Sequence, residues 1–333
     1  MKSSEMFVQS RVAMGTLFSI YLYTRDAEHA ETCFEAAFEE IERLDETLSN
    51  YRPSSELSRI NRLAAHQAVT TDPEVFALLE TAIDYSRRSS GAFDITVGPL
   101  MRAWGFFRGE GRYPQSQELQ IASEQVGFEK VHLDVPTRTV RFAVPGVELD
   151  LGAIGKGYAV DRAVMVLREA GINAALVDAG SSTLYAMGAP PAKDGWTVRV
   201  PEPRDRSQTV STLMLRNESL STSGSYEKCF ELEGKRYCHV MDPRDGMPVH
   251  GVLQTTLICS DSTSSDALSN AMFVMGPRAG TQLIATVAGS RGLWVMDEGE
   301  SQPLVKWYWE DCSASSLTQM PVLQSKERTQ PGR

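Results

Sequence analysis

Three glycines within six residues punctuate residues 150–161, which read DLGAIGKGYAVD and continue into an amphipathic helix. Glycine lacks a Cβ atom, so this turn can bend sharply and lie close to a large ligand. The N–H groups at the start of the following helix are suited to binding phosphate. The segment therefore predicts a turn and helix that bind a phosphorylated compound.

The spacing of these glycines excludes the two common nucleotide-binding motifs. A P-loop requires Gly-x-x-x-x-Gly-Lys-Ser/Thr, but Asp150 replaces the first glycine and Gly157 follows Lys156. The dinucleotide fingerprint Gly-x-Gly-x-x-Gly is also absent, because Gly152, Gly155 and Gly157 have the reverse spacing. We therefore expect a phosphate site that belongs to neither fold.

Composition and charge limit the class of protein and its partners. The 333 residues are 42% hydrophobic and 23% charged, as in a globular protein that buries a large core. The net charge is −10 and no basic cluster is present, which argues against binding to nucleic acid. An anionic ligand would need backbone N–H groups or a bound cation.

The chain also shows no membrane signal. No stretch approaches the roughly 20 apolar residues of a membrane span, and residues 1–15 contain no apolar core of a secretory signal peptide. We expect a soluble protein with no membrane span. It is cytoplasmic as written, or extracytoplasmic if an export signal has been removed.

The cysteines do not form a recognisable framework. There are five, an odd number without CxxC spacing, which argues against a disulfide scaffold or a structural zinc site. Cys229 and Cys238 lie on the two arms of a predicted hairpin, where one disulfide is feasible.

Hydrophobic periodicity predicts helices alternating with hairpins. Helices are predicted at residues 27–49, from Asp72 and Pro73 onward, and at 155–170 and 265–274. Strands are predicted at 17–23, in three short runs within 130–151, and at 174–177, 197–200, 210–215, 229–233, 235–240, 254–258 and 292–297. Residues 51–61 are expected to form a loop or short helix, 91–105 an irregular segment and 109–116 a surface loop.

No repeat or linker divides the chain. We therefore expect a mixed α+β fold, with mainly antiparallel sheets and packed helices in a single large domain of residues 1–315. The polar residues 316–333 are expected to be a disordered tail.

Two segments carry candidate catalytic groups. Asp266 and Asn270 lie four residues apart, on one helix face, and both offer oxygen to a hard cation such as Mg²⁺. The alternative is a helix-capping aspartate beside an exposed amide. His239, close to Asp242, is a candidate general base on a strand that would place Tyr237 on the same face. The alternative is a structural histidine in a turn.

Two further segments could hold an aromatic ring system. In GAFDITVGP, residues 91–99, Asp94 could accept a hydrogen bond from a heterocycle, although a buried turn explains the pattern equally well. Tyr51 is either a stacking platform or an ordinary surface residue.

Together these segments resemble the FAD:protein FMN transferases, the ApbE family, from about residue 13 to residue 276. The matching motifs occur in the family's order: Met14-Gly15-Thr16, Tyr51-Arg52-Pro53 with Ser55-Glu56-Leu57, GAFDITVGPL with Trp104-Gly105-Phe106, DLGAIGKGYAVD, Thr222-Ser223-Gly224, His239 to Pro243 and Asp266-Ala267-Leu268. The resemblance implies an ApbE-like, tunnelling-fold-like architecture.

The resemblance also implies a reaction. The family uses Mg²⁺, with Mn²⁺ as an alternative, to break the pyrophosphate of FAD. The FMN half is moved to a Ser or Thr hydroxyl of a partner protein, and AMP is released. We expect that acceptor to be a membrane electron-transport subunit. Two alternatives keep the site: an FAD pyrophosphatase that yields FMN and AMP, and a non-catalytic FAD-binding protein.

The family's functional positions can be carried over residue by residue. His239 matches the base that acts on the acceptor hydroxyl. The positions that contact FAD correspond to Met14, Tyr51, Ala92, Phe93, Asp94, Asp150, Lys156 and Val240. The metal positions correspond to Ala153, through its carbonyl, and to Asp266 and Asn270.

Three features depart from the family pattern. Asn270 stands where the family usually has Thr, and residues 178–183 read DAGSST where many members read Asn-Ala-Gly-Gly-Asp. Many members are exported lipoproteins, whereas no lipid-attachment cysteine precedes Met14.

Overall fold

The computed structural model describes residues 4–107, 109, 111–226 and 228–297, and the backbone of residues 304–308. Within them the helices are α1 Ala27–Leu48, α2 Glu56–Leu63, α3 Pro73–Arg88, α4 Gly98–Ala103, α5 Ser116–Gln125, α6 Gly155–Glu169 and α7 Ser262–Ile284. The strands are β1 Glu5–Ala13, β2 Thr16–Thr24, β3 Val69–Thr70, β4 Val131–Asp134, β5 Thr139–Phe142, β6 Ala175–Ala179, β7 Thr183–Met187, β8 Trp196–Pro201, β9 Thr209–Leu215, β10 Glu218–Gly224, β11 Cys229–Leu232, β12 Lys235–Cys238, β13 Met241–Asp242, β14 Met247–Pro248, β15 Val252–Cys259, β16 Arg291–Met296 and β17 Leu304–Tyr308.

An eight-stranded antiparallel sheet organises the molecule, in the order β1-β2-β6-β7-β10-β15-β16-β17. Helices α1, α6 and α7 pack on one face and enclose the main core. The β8–β9 hairpin covers part of the other face through Trp196, Val198 and Leu215. The predicted α+β class, with antiparallel sheets in one domain, is confirmed. No described helix combines the length and apolar character that crossing a bilayer requires.

The long helices form where periodicity and capping agree. The Asp72 side chain accepts from Glu74 N at 2.8 Å, and Pro73 occupies the first turn of α3. Asp261 caps α7 in the same way, by accepting from Ser264 N at 2.7 Å. α7 begins three residues before the predicted helix. It is kinked at Gly276, whose φ is 68°, and a second helical stretch follows the kink to Ile284.

Several predictions of local structure are wrong. Strand β1 was not predicted; it pairs with β2 through a two-residue turn in which Met14 and Gly15 have φ of 49° and 72°. Helix α4 lies in the segment expected to be irregular, and α5, β3, β7 and β10 were not predicted. Residues 147–151, expected to be a strand, pair instead with loop and side-chain groups: Asp150 N donates to Ile95 O and Leu149 N to Asn61 Oδ1.

Other segments follow the prediction only in part. Residues 51–61 contain the short helix α2. Strand β12 ends at Cys238, one residue before His239, so the alternation expected around His239 is wrong: Tyr237 and Cys238 are both buried, as are Val240 and Met241. Burial of consecutive residues on both sides of His239 replaces the period-two pattern. The predicted tail, 316–333, lies outside the described residues, and the domain limit at 315 stays a prediction.

Candidate functional site

A cavity of about 400 Å³ opens where the β1–β2 turn, the 150–157 turn, the end of β10, the segment after β12 and α7 converge. Eleven of the twelve residues proposed from sequence line it: Met14, Tyr51, Phe93, Asp94, Asp150, Ala153, Lys156, His239, Val240, Asp266 and Asn270. Ala92 is not among the lining residues and is 1% exposed. Residues as far apart in the chain as Met14 and Asn270 thus meet at one site.

Asp266 is the buried anion of this cavity. Its Oδ2 accepts from Gly157 N at 2.9 Å and its Oδ1 from Thr183 Oγ1 at 3.0 Å. The side chain is only 9% exposed. A Cβ atom at Gly157 would lie 2.1 Å from Ser262 O and 2.7 Å from Asp266 Cβ. Gly157 is therefore required for the close approach of α6 to α7, in addition to any approach to a ligand.

A network of buried serine hydroxyls holds Thr183, the hydroxyl partner of Asp266, in place. Ser221 Oγ donates to Thr183 Oγ1 at 3.1 Å and lies 2.7 Å from Ser265 Oγ. Ser219 Oγ also lies 2.7 Å from Ser265 Oγ. Sequence reasoning missed this function of Thr183, because a network built from two strands, β7 and β10, and helix α7 leaves no local pattern.

Asp161 fixes the start of α7 against α6. Its carboxylate accepts from Ser262 N at 2.7 Å, Thr263 N at 2.8 Å and Thr263 Oγ1 at 2.6 Å. Burial raises the pKa of this carboxyl above its ordinary value. The final Asp of the DLGAIGKGYAVD motif is therefore a structural clamp, which orients the glycine-rich turn relative to Asp266.

Lys156 brings a positive charge to the same wall. Its Nζ donates to Gly152 O at 3.0 Å and lies 3.9 Å from Asp266 Oδ1. Ala153 lies between these groups in sequence, and Asn270 is one turn beyond Asp266 on α7; both line the cavity. This wall thus combines the Asp266 carboxylate, the Asn270 amide and the Gly152 carbonyl. The carboxylate and the carbonyl already attract one cation, the Lys156 ammonium.

His239 lies on the opposite side, after β12. Its backbone N donates to Lys228 O at 3.0 Å, and its Nδ1 is 3.3 Å from the same oxygen. A carbonyl only accepts, so this contact requires the proton on Nδ1 and leaves Nε2 as the basic nitrogen of a neutral ring. Asp242, the neighbouring carboxylate in the sequence, pairs with Arg244 at 2.6 Å.

Asp94 is committed to a local turn as well as to the cavity wall. Its Oδ1 accepts from Thr96 N at 2.8 Å and from Thr96 Oγ1 at 2.7 Å, and its Oδ2 accepts from Phe128 N at 2.7 Å. Burial raises the pKa of this carboxyl. The buried-turn interpretation therefore holds, while Phe93 and Asp94 both still face the cavity.

An aromatic wall and a second cavity extend the site. Tyr51 stacks on Phe107 with ring centroids 4.8 Å apart, and the Arg102 guanidinium lies 3.8 Å from the Phe107 centroid. A neighbouring cavity of about 340 Å³ shares Met14, Tyr51, Asp150 and Lys156 with the first. Together the two cavities suit an elongated ligand.

Asp150 lies where the two cavities meet. Its Oδ1 accepts from Gly152 N at 2.8 Å, and burial raises the pKa of its carboxyl.

The fold and site define a class: a single-domain α+β protein whose polar cavity is built between its main sheet and the glycine-rich turn before α6.

Comparison with known proteins agrees with this class. The sequence model of the ApbE family matches residues 14–293. A protein from Klebsiella pneumoniae named FAD:protein FMN transferase is 32% identical over 283 residues, covering 84% of this chain and 86% of that protein. The chain therefore belongs to the ApbE family.

Solved structures extend the similarity to three dimensions. The ApbE protein of Thermotoga maritima superposes with a TM-score of 0.82 at 31% identity, covering 89% of this chain and 96% of that one. The apo form of the Pseudomonas stutzeri flavinyl transferase ApbE gives a TM-score of 0.79 at 30% identity, covering 89% and 92%.

Proposed function

We propose that this protein is an FAD:protein FMN transferase, which moves the FMN half of FAD to a Ser or Thr hydroxyl of another protein and releases AMP. One observation carries the proposal: eleven of the twelve residues assigned from the family resemblance line a single cavity. The named relatives support the same activity. FAD is the substrate in the name that those relatives carry.

The cavity fits a hard divalent cation, Mg²⁺ or Mn²⁺. Asp266, Asn270 and the Ala153 carbonyl would hold it, and oxygen donors of this kind suit Mg²⁺. The two hydrogen bonds to Asp266 use only part of its acceptor capacity, because a carboxylate has about four lone-pair sites. Among the described residues no cluster of three His, Cys, Asp or Glu side chains could bind a metal, so this site differs from a zinc centre.

The chain's own residues supply the remaining chemistry. His239 Nε2 takes the proton of the acceptor hydroxyl as its oxygen forms a bond to the FMN phosphorus. The anhydride bond from that phosphorus to the AMP oxygen breaks, and AMP leaves with the bonding electrons. A bound Mg²⁺ would neutralise charge on the pyrophosphate.

Binding and orientation fall to the other walls. The Lys156 ammonium would pair with a phosphate oxygen, which would draw it away from Asp266. Tyr51 and Phe93 would contact ring systems of FAD, with Met14 and Val240 beside them. Asp94 and Asp150 are the remaining proposed contacts. Ala92 is buried behind this surface and would act only by shaping the turn.

We propose that the acceptor is a membrane electron-transport subunit with a Ser/Thr flavinylation motif. His239 is half-buried in the cavity wall, and it is the group beside which the acceptor hydroxyl would enter. The protein itself has no described membrane-spanning helix.

Incubation with FAD, Mg²⁺ and a candidate acceptor domain tests the function. An in-gel fluorescent acceptor band, with equimolar AMP, is expected. AMP without any labelled acceptor would identify a pyrophosphatase instead, and tight FAD binding without turnover in Mg²⁺ or Mn²⁺ would identify a non-catalytic binding protein. An Asp266→Asn variant, which preserves the side-chain shape, provides the matched control.

A further inference from the structure

Two cysteines face each other directly beside the proposed base. Cys229 begins β11 and Cys238 ends β12, and their Cα atoms are register partners in the hairpin. Their chain neighbours, Lys228 and His239, both line the cavity. The pair therefore sits at the point where the hairpin joins the site.

The hydrogen-bond pattern shows which kind of pair this is. His239 N donates to the carbonyl of Lys228, its opposite residue, which makes that pair a hydrogen-bonded one. Pairs alternate along an antiparallel ladder, so Cys229 and Cys238 form a non-hydrogen-bonded pair, with Cα atoms about 4.5 Å apart. Disulfides span Cα separations of about 4.4–6.8 Å. A bond can therefore form without rearrangement of the strands.

The two thiols differ in environment. Both are free thiols in this structure. Cys229 is half-buried, and the Arg236 guanidinium donates to its sulfur at 3.1 Å. Cys238 is 2% exposed, and burial raises the pKa of its thiol to about 11. Its Sγ donates to Val240 O and Val249 O at 3.6 and 3.5 Å. Cys229, the more exposed of the two, is the thiol that would react first with an oxidant. Cys238 is the thiol that would then displace the oxidant from Cys229.

We propose that Cys229 and Cys238 form a reversible disulfide that ties the strand end bearing His239 to the neighbouring strand. The oxidant is another disulfide, from a small molecule or a dithiol oxidoreductase. The Cys229 thiolate attacks one oxidant sulfur, forming a mixed disulfide and releasing one thiolate. Cys238, after losing its proton, attacks the Cys229 sulfur and expels the second thiol. The pair loses two electrons and two protons, and the oxidant becomes two thiols.

The bond would change the segment that carries the base. It closes the short loop between residues 229 and 238, which limits the open conformations of the hairpin. It also removes the S–H group that Cys238 donates to Val240 O, and Val240 lines the cavity. The consequence for His239 rests on the proposed function, whereas the bond itself does not.

Intact-mass measurement on the full chain tests the bond. In a Cys312→Ser background, oxidised glutathione should lower the mass by about 2 Da, the two hydrogens lost. Peptide mapping should join Cys229 to Cys238, and dithiothreitol should reverse the change. Cys238→Ser should abolish it, whereas the control Cys33→Ser should retain it. Both thiols remaining alkylatable, or Cys238 bonding to Cys259, would overturn the proposal.

Hydrogen exchange tests the effect on the hairpin. Amides between residues 229 and 238 should exchange about tenfold more slowly in the oxidised protein, and the Cys238→Ser variant should show no redox difference. Equal exchange in both states would contradict the tethering. If no FMN transfer occurs in either redox state, the proposed function fails while the mass and exchange results still decide the disulfide.

Discussion

The two sides of the cavity are built in different ways. The metal side, defined as Asp266, Thr183 and Gly157, lies at the junction of the eight-stranded sheet with α6 and α7. The base side, defined as Lys228 and His239, flanks the two ends of a two-stranded hairpin that is not part of that sheet. Asp266 is 7% exposed and has partners on two core elements, whereas His239 is half-buried.

The comparison shows that the metal side of the cavity is held by the core of the protein, whereas the base side is not. A cation site tolerates little positional error, so its ligand is held by groups from the core. A base that meets a hydroxyl on an incoming protein must stand near the surface. The hairpin beside the base pairs in a two-stranded sheet of its own and is held by packing of Phe230 and Tyr237 against Trp104, not by the ladder of the main sheet.

Loss of the metal-side carboxylate should have the largest effect. Asp266→Ala removes the charged ligand and the acceptor of two hydrogen bonds, so FMN transfer should fall at least about 10³-fold at any Mg²⁺ concentration. Transfer kinetics across a Mg²⁺ titration measure this. Asp266→Asn, which keeps the shape, should remain folded and be nearly as inactive; activity near that of the parent would remove the metal side from the mechanism.

Loss of the base should have a smaller effect. His239→Ala should reduce kcat by about 10²–10⁴-fold, because proton removal from the acceptor hydroxyl is lost. FAD affinity, measured by calorimetry, should change little. The neighbouring loop residue gives the control, since His250→Ala should retain most activity. Full activity in His239→Ala would show that another group acts as the base.

Loss of the Thr183 hydroxyl, which orients Asp266, should have the third-largest effect on FMN transfer. Thr183→Val keeps the shape but removes the donor to Oδ1, and groups that orient a metal ligand typically contribute 10–100-fold. The apparent Mg²⁺ affinity in transfer assays should weaken by about that factor, with Thr183→Ser restoring it. An unchanged Mg²⁺ dependence in Thr183→Val would mean that the core does not position the carboxylate in this way.

The amide on α7 should matter least. Asn270→Thr restores the usual family residue, and both side chains offer one neutral oxygen, so transfer should change by no more than about threefold. Parallel Mg²⁺ and Mn²⁺ titrations measure the change. A tenfold gain would show that Asn270 impairs this site, and a tenfold loss would show that the chain has adapted around the amide.

Part of the candidate site was readable from local patterns in the sequence, and the remaining positions were implied by the resemblance to the ApbE family. The glycine-rich turn, the Asp266–Asn270 spacing and the helices at α1, α3 and α6 follow from local bending, helical periodicity and capping. His239 was also proposed as a site residue, but the predicted strand ran to residue 240 whereas β12 ends at Cys238, and the contact with Lys228 was not predicted. Its Nδ1 contact is the Lys228 carbonyl, a backbone group from across the hairpin.

Other features had no local signal. Edge strand β1 forms because β2 supplies its partner, and β7 and β10 form because the sheet surrounds them. Residues 147–151 have a strand-like sequence, yet Asn61 and Ile95 take their hydrogen bonds. In each case a long-range partner decided a segment whose own preference was weak.

The sequence by itself determined the class of fold and the long helices, because helical periodicity acts over a few residues, and its resemblance to the ApbE family supplied eleven of the residues that line the cavity. Only the tertiary structure decided what holds those residues in place. Thr183 reaches Asp266, Ser221 reaches Thr183, and Asp161 reaches the start of α7, across 83, 38 and 101 positions of chain. Such contacts depend on packing between distant elements, which no short window of sequence encodes.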